Sequence, residues 1–196
     1  MSAKPGDTYQ DALARLRALL RREGGLMATL VEPEPTDAST GARNGHGTAN
    51  GDAASPGSVA ANGPRAVGRR EEYELLVEAI YEGYLLHYGA PRVVRMPEAD
   101  LKLLAGDRLY AIGLARLVEL GDTLAVAELA DTITLSALAQ GAGESLLADA
   151  VWAAGARAVG YGSSAAHERA KDLVLAGAPN AIEAMRTSAL GGAAPR

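Results

Sequence analysis

The chain combines 196 residues and a formal net charge of −5 with no cysteine and no phenylalanine. This length allows one ordinary domain with appendages, the acidic balance leaves no basic footprint for nucleic acid, and the lack of cysteine excludes disulfides and cysteine-based metal sites. Alanine and leucine supply most of the apolar content, so we expect an all-α helical bundle. Because no charge-free apolar run approaches about 18 residues, and the first residues lack an apolar signal core, we expect a cytoplasmic protein without a transmembrane segment.

Residues 1–32 contain a predicted amphipathic helix that begins near Asp7 and ends at Gly24-Gly25. Arginines occupy one face, and leucines recur on the other at Leu13, Leu16, Leu19 and Leu20. Two interpretations stay open. The helix either serves as a docking arm for a partner or folds back on its own protein, which is the commoner behaviour of amphipathic helices.

Residues 33–68 differ in kind, because Gly, Asn, Ala, Ser, Thr and Pro dominate and no apolar periodicity is present. Such a segment cannot offset its own ordering entropy, so we predict a disordered linker. His46 lies between glycines in this segment. We interpret it as a solvated histidine, since metal sites need several ligands and none neighbours it.

Residues 69–190 form the predicted all-α body, which starts with a helix that runs to Gly89 and is rich in tyrosine. Aromatic residues at helical spacing favour a core or interface over a ligand cage. Glu78 and Glu82 lie one turn apart and could share a cation, although a solvated polar face is the preferred interpretation. The tyrosines concerned are Tyr73, Tyr81, Tyr84 and Tyr88.

The segment Pro97–Gly121 is apolar around nearly its whole circumference, which predicts a helix in the middle of the bundle. Pro97 suits the first helical turn and Gly121 can supply a left-handed stop. In its middle, the Ala105-Gly106-Asp107 step replaces bulky residues with small ones, although glycine inside a helix costs about 1 kcal/mol relative to alanine. This step predicts that another backbone approaches closely there.

The remaining helices are marked by their caps and stops. Asp122 begins the next helix, and the short turn at Gly121-Asp122 makes it an antiparallel neighbour of the preceding one. One further predicted helix contains Trp152, another begins at Ser163 or Ser164, and the last follows Asn180. Residues 191–196 are a predicted frayed tail. Around Gly160-Tyr161-Gly162, a phosphate-binding loop and a plain helix–helix connection both remain possible, and the missing P-loop lysine favours the connection.

The stretch LLAGDRLYAIGLARLVELGD resembles the "LAGD-x-L" helix of the trans-polyprenyl diphosphate synthases. It is similar to the shorter, non-catalytic component I of two-component hexaprenyl and heptaprenyl synthases, and the similarity covers Tyr73 to Gln140, with Gly143-Glu144 as a weak extension. The resemblance implies that the body is a part of the isoprenoid synthase fold. This chain departs from the catalytic members because it lacks both aspartate-rich motifs with which they hold magnesium against the diphosphate.

The resemblance therefore implies a non-catalytic accessory subunit that binds the catalytic chain of a polyprenyl diphosphate synthase in quinone side-chain biosynthesis. No catalytic or metal-binding residue is assigned, no cofactor is expected on this chain alone, and magnesium belongs to the partner. The residues that the resemblance assigns to the interface are Leu103, Gly106, Asp107, Tyr110 and Leu114. The alternative is a generic helical interaction or scaffold module without a role in prenyl transfer. In that case Gly106 packs within its own chain, and Asp107 pairs with Arg108 or solvent.

The histidines give no sequence signal for an enzyme. His46, His87 and His167 do not stand in a recognisable serine-nucleophile arrangement along the chain. A triad that forms only in space stays open, since such triads are recognised by geometry rather than by sequence position.

Overall fold

The computed structural model describes residues 5–33, 54–95 and 98–191, and it describes side chains from Tyr9 onward. These residues form nine α-helices, one 3₁₀ turn at Pro64–Ala66 and a single antiparallel bridge between Val31 and Val94. The helices are α1 (Pro5–Glu23), α2 (Gly25–Leu30), α3 (Pro56–Ala61), α4 (Arg70–Tyr88), α5 (Ala99–Glu119), α6 (Thr123–Gly141), α7 (Ser145–Tyr161), α8 (Ala165–Leu175) and α9 (Ala181–Ala189). The predicted all-α class is confirmed. Among the described helices, none has both the length and the apolar character that crossing a membrane requires.

Helix α4 is the centre of the molecule, because it contributes to both hydrophobic cores. The first core joins α4 to α6, α7 and α9 through residues that include Ile80 and Trp152. The second joins α4 to α1, α2 and α5 through residues that include Leu86 and Leu109. The prediction that the helix of Pro97–Gly121 lies in the middle of the bundle is wrong, since α5 packs on α4 with one side and leaves the other open.

The N-terminal helix folds back on the body. Its four leucines, Leu13, Leu16, Leu19 and Leu20, are buried in the second core. Arg15 of α1 donates a hydrogen bond to Glu74 of α4, with 2.6 Å between the nitrogen and the oxygen. Of the two interpretations of residues 1–32, the structure therefore contains the packed helix and not a free docking arm.

The predicted linker ends earlier than residue 68. Residues 54–68 contain α3, which lies between α4 and α7 and buries Gly57, Ala60 and Ala61. Ser55 caps α3 by accepting a hydrogen bond from the Ser58 amide, and the Gly57 amide donates to Glu78 Oε1 at 2.8 Å. The segment packs because its small residues let the backbones meet, a mode of burial that needs no bulky apolar stripe. Residues 34–53, with His46, lie outside the described residues, as do residues 192–196 of the predicted tail.

Asp122 caps α6, as its position in the sequence predicts. Its Oδ1 accepts hydrogen bonds from the Ala125 amide at 3.0 Å and from Arg65 at 2.6 Å, and its Oδ2 accepts one from the Tyr73 hydroxyl. Burial alone would raise the pKa of Asp122, but these hydrogen bonds outweigh it and hold the pKa below its usual value. The charged form of Asp122 is thus favoured by the fold.

We expect Asp122→Asn to lower the free energy of unfolding at pH 7 by about 1–2 kcal/mol, because asparagine can still cap the helix but lacks the charge to which Arg65 and Tyr73 donate hydrogen bonds. A carboxylate with a lowered pKa stabilises the fold above its unfolded pKa of about 3.9, and that contribution is lost as the pH falls through the folded pKa. The difference between wild type and variant should therefore shrink between pH 5 and pH 3 in urea titrations. The exposed Asp172 supplies the control, Asp172→Asn. A difference that is the same at both pH values would contradict this account.

Candidate functional site

The contact between α4 and α5 explains the small-residue step in α5. A Cβ added at Gly106 would lie 2.6 Å from His87 Nε2 and 3.1 Å from the Gly83 carbonyl oxygen, and one added at Gly83 would lie 2.9 Å from the Gly106 carbonyl oxygen. A backbone does approach Gly106 closely, but it is the backbone of α4 in the same chain. Gly106 therefore packs within its own chain, and its place in an interface with a partner stays a prediction.

Three more of the predicted interface residues contact their own chain to different extents. They are Asp107, Tyr110 and Leu114. Asp107 pairs with His87 at 3.1 Å and not with Arg108, yet 68% of its side chain is exposed. Tyr110 stacks on the His87 ring, and Leu114 packs against the first core. Of the five predicted interface residues, Leu103 and Asp107 remain at the surface.

The side of α5 that faces away from α4 carries an apolar stripe. Leu104, Ala111, Ala115 and Val118 are exposed and fall within one narrow arc at the helical repeat of 100° per residue. Leu104 and Val118 keep 60% and 55% of their surface exposed. Asp107 and Arg108 border this arc on either side, and the charged residue that falls on it is Asp100, one turn before Leu104.

Helix α6, the next helix along the chain, also exposes apolar residues. It contains no lysine or arginine, and its exposed positions are occupied by leucine, alanine and threonine, with Asp131 and Gly141 as the exceptions. Leu124 and Leu138, near its two ends, are 68% and 52% exposed. We call the combined surface the exposed α5–α6 face. Its residues are Leu103, Leu104, Ala111, Ala115 and Val118 of α5, and Leu124, Ala127, Ala130, Thr134 and Leu138 of α6.

Two ion pairs lie at the exposed α5–α6 face. On the α5 side, Arg108 bonds to Glu23 of α1 at 3.0 Å. On the α6 side, Asp131, which lies between Leu124 and Leu138 on the exposed arc, bonds to Lys171 of α8 at 2.7 Å. These two charges are thus paired within the chain, and the large exposed side chains near them are apolar. Apolar patches of this kind on a protein surface are typical of interaction sites.

The interpretation of Glu78 and Glu82 as a solvated polar face is wrong. Both carboxylates are fully buried and are bonded by the Arg92 guanidinium, at 2.6 Å to Glu78 and 3.0 Å to Glu82. Glu82 Oε1 also accepts hydrogen bonds from the amides of Arg92 and Val93. Burial acts to lower the pKa of Arg92, but the two carboxylates outweigh it and raise the pKa above its usual value. Because these oxygens already have partners, the shared-cation alternative finds no support.

The Gly160-Tyr161-Gly162 segment is a helix end and not a phosphate loop. Helix α7 runs through Gly160 and Tyr161, and Gly162 follows it with a φ of 91°. Gly160 lies against the backbone of Ala60 and Gly63, so it allows α3 to pack on α7. The helix–helix connection is therefore the correct alternative.

Within the parts of the chain that the structure describes, no group of three or more potential metal ligands surrounds a common point. Comparisons with family models, curated proteins and solved structures find no match to this chain. Function must therefore be inferred from the residues of this chain. Sequence reasoning missed most of the exposed α5–α6 face, although the lack of basic residues in α6 and the placement of Leu124 and Leu138 on one side of that helix were available signals.

Proposed function

We propose that the chain is a helical accessory subunit, non-catalytic in prenyl transfer, that binds a second helical chain through the exposed α5–α6 face. The observation that carries this proposal is that four large apolar side chains of α5 and α6 stay at least half exposed, while the charges of Arg108 and Asp131 beside them are paired within the chain. Those side chains are Leu104, Val118, Leu124 and Leu138.

The pattern of large and small residues supports a helix as the binding element of the partner. Ala111 and Ala115 lie between Leu104 and Val118, so the α5 stripe has bulk at its ends and a shallow middle. Ridges of side chains on one helix pack into such grooves on another. Burial of one exposed leucine or valine contributes about 1.5–3 kcal/mol, so the face can support stable association.

The resemblance to polyprenyl diphosphate synthases supplies the proposed partner. Helix α5 carries the LAGD-x-L stretch, and the chain lacks the aspartate-rich motifs that hold magnesium. We therefore propose that the partner is a catalytic polyprenyl diphosphate synthase chain, which contributes the magnesium and the chemistry, and that the body corresponds to a part of the isoprenoid synthase fold. The accessory chain would help to set product length in quinone side-chain biosynthesis.

A generic interaction module without a role in prenyl transfer is the second candidate, and the same exposed face supports it. The two candidates differ in the identity of the partner and in the effect on prenyl products. The catalytic synthase chain of the same organism, co-expressed with this protein, separates them. Co-purification together with a changed product length supports the subunit, whereas an unbound chain without effect on the products contradicts it.

The double variant Leu104→Glu/Leu124→Glu tests the surface. We expect binding to the co-expressed catalytic chain to weaken about 100-fold or more, because two apolar contacts are lost and two charges are buried on association. Calorimetric titration would measure the change, and thermal unfolding should stay close to that of the wild type, since both positions are exposed.

The matched control is Leu175→Glu, because Leu175 on α8 is 62% exposed and lies outside the exposed α5–α6 face. This variant should bind like the wild type. Equal weakening by the control, or unchanged binding of the double variant, would contradict the assignment of the surface.

A further inference from the structure

His167 on α8 is held between two side chains that are distant in the sequence. Its Nε2 lies 2.7 Å from Oε1 of Glu128 on α6, and its Nδ1 lies 2.7 Å from Oγ of Ser188 on α9. Both His167 and Glu128 are buried. Three helices thus bring together a hydroxyl, an imidazole and a carboxylate in one line of hydrogen bonds.

The carboxylate decides which nitrogen of His167 carries the proton. An ionised carboxylate only accepts hydrogen bonds, so Nε2–H donates to Glu128 and the lone pair of Nδ1 faces Ser188. The Ser188 hydroxyl then donates to Nδ1. This is the arrangement in which a base can remove a proton from a serine, with a third group that orients the base.

Lys171 pairs with Glu128 and with two further carboxylates. The ammonium lies 3.3 Å from Glu128 Oε2, and it also bonds to Asp131 and Glu168 at 2.7 and 3.0 Å. Burial acts to lower the pKa of Lys171, but the bonds to Asp131 and Glu168 and the charge of Glu128 outweigh it and raise the pKa. A carboxylate in hydrogen-bond contact with His167 can stabilise the imidazolium that forms when the ring accepts a proton.

Ser188 also lines an open groove of about 690 Å³ between α8 and α9. Much of the groove is apolar, with Ala170, Leu173 and Ala184 among its walls, and Arg169 and Asn180 contribute polar groups. This volume falls within the range of about 300–1,000 Å³ that small-molecule sites occupy. The serine of the hydrogen-bonded line is therefore accessible to a small molecule with an apolar part.

We infer that Ser188 is a nucleophile that acts on esters with a small apolar acyl group. Ser188 Oγ bonds to the carbonyl carbon while its proton passes to His167 Nδ1. The ester bond then breaks, and the alkoxide leaves as an alcohol after it takes that proton. Water releases the acyl group from Ser188 by the same route, so His167 returns to its starting form.

This inference is independent of the proposed binding function. Ser188 is on α9, His167 is buried, and Glu128 points away from the exposed α5–α6 face into the protein. Failure of partner binding would therefore leave the inference standing, and a failed labelling experiment would leave the binding proposal standing.

A fluorophosphonate probe on the full-length protein tests the inference, because it forms a stable adduct with activated serines. We expect an intact-mass increase of one adduct, mapped by peptide sequencing to Ser188, and hydrolysis of p-nitrophenyl butyrate by the unlabelled protein. Ser188→Ala should abolish both signals. Glu128→Gln should slow both by about 100-fold or more, because His167 would lose the carboxylate that orients it and stabilises its imidazolium.

The control variant is Ser163→Ala, since Ser163 is an exposed serine that bonds to Glu168 at the start of α8. It should be labelled at the wild-type rate. Circular dichroism establishes that each variant is folded, and Ser188→Cys with an alkylating probe repeats the test at the same position. No adduct at position 188 in either folded protein, or equal labelling of Ser188 and Ser163, would overturn the inference.

Discussion

Arg92→Met is expected to lower the free energy of unfolding by about 3–5 kcal/mol, the usual cost when one partner of a buried ion pair is removed. Methionine matches much of the volume of arginine but leaves Glu78 and Glu82 without their guanidinium, and both carboxylates are fully buried. The Tyr81 ring, 5.0 Å from the guanidinium carbon, loses its cation as well. Urea-induced unfolding, followed by circular dichroism, would measure the loss.

Two further variants separate the buried charge from other effects of Arg92→Met. The triple variant Glu78→Gln/Glu82→Gln/Arg92→Met removes all three charges, so it should recover part of the lost stability, because no uncompensated carboxylate remains. Arg108→Met removes an exposed ion pair and should cost no more than about 1 kcal/mol. A loss below about 1 kcal/mol for Arg92→Met would mean that solvent reaches the two carboxylates.

Gly160→Ala should give the second large effect, a loss of about 1–3 kcal/mol. The added Cβ would lie 2.9 Å from Cα of Ala60, so α3 would have to move away from α7. Alanine favours helix by about 1 kcal/mol over glycine, so any net loss reports the crowding. Hydrogen exchange should become faster at the amides of α3, and chemical denaturation would give the free energy.

Gly141→Ala is the matched control, because Gly141 is also helical and an added Cβ there meets nothing within 4 Å. Its stability should be unchanged or slightly raised. Effects of the same sign and size for the two substitutions would contradict the claim that Gly160 is needed for the close packing of α3 on α7.

The helices with apolar periodicity could be predicted from the sequence, but their depth in the molecule could not. The apolar positions of α5 suggest a central helix, whereas Leu104 and Val118 are exposed. Helix α4 appears half polar because of Glu78 and Glu82, yet it contributes buried residues to both cores, among them Ile80 and Leu86. Periodicity identifies a face that can be buried, and the partner that covers it depends on the path of the whole chain.

The other differences have the same origin in long-range contacts. Helix α3 has little apolar bulk, so its composition resembles a linker, and only its glycine contacts with α7 and α4 explain its burial. The sequence shows Arg92, but it does not show that the chain beyond Pro91 turns back to Glu82. The hydrogen bonds of His167 join residues 39 and 21 positions away, and sequence spacing carries no signal for them.

The packing of α1 and α2 on the body affects how binding experiments should be designed. If the first 32 residues were removed, apolar side chains of α4 and α5 that α1 and α2 now cover would meet solvent, among them Leu86, Leu109 and Ile112. A truncated protein would then have a second exposed apolar surface, and proteins that it bound from a mixture could be bound at that surface. Shortened versions that begin at α4 would thus report an artefact of the deletion, even where the helices that remain are intact.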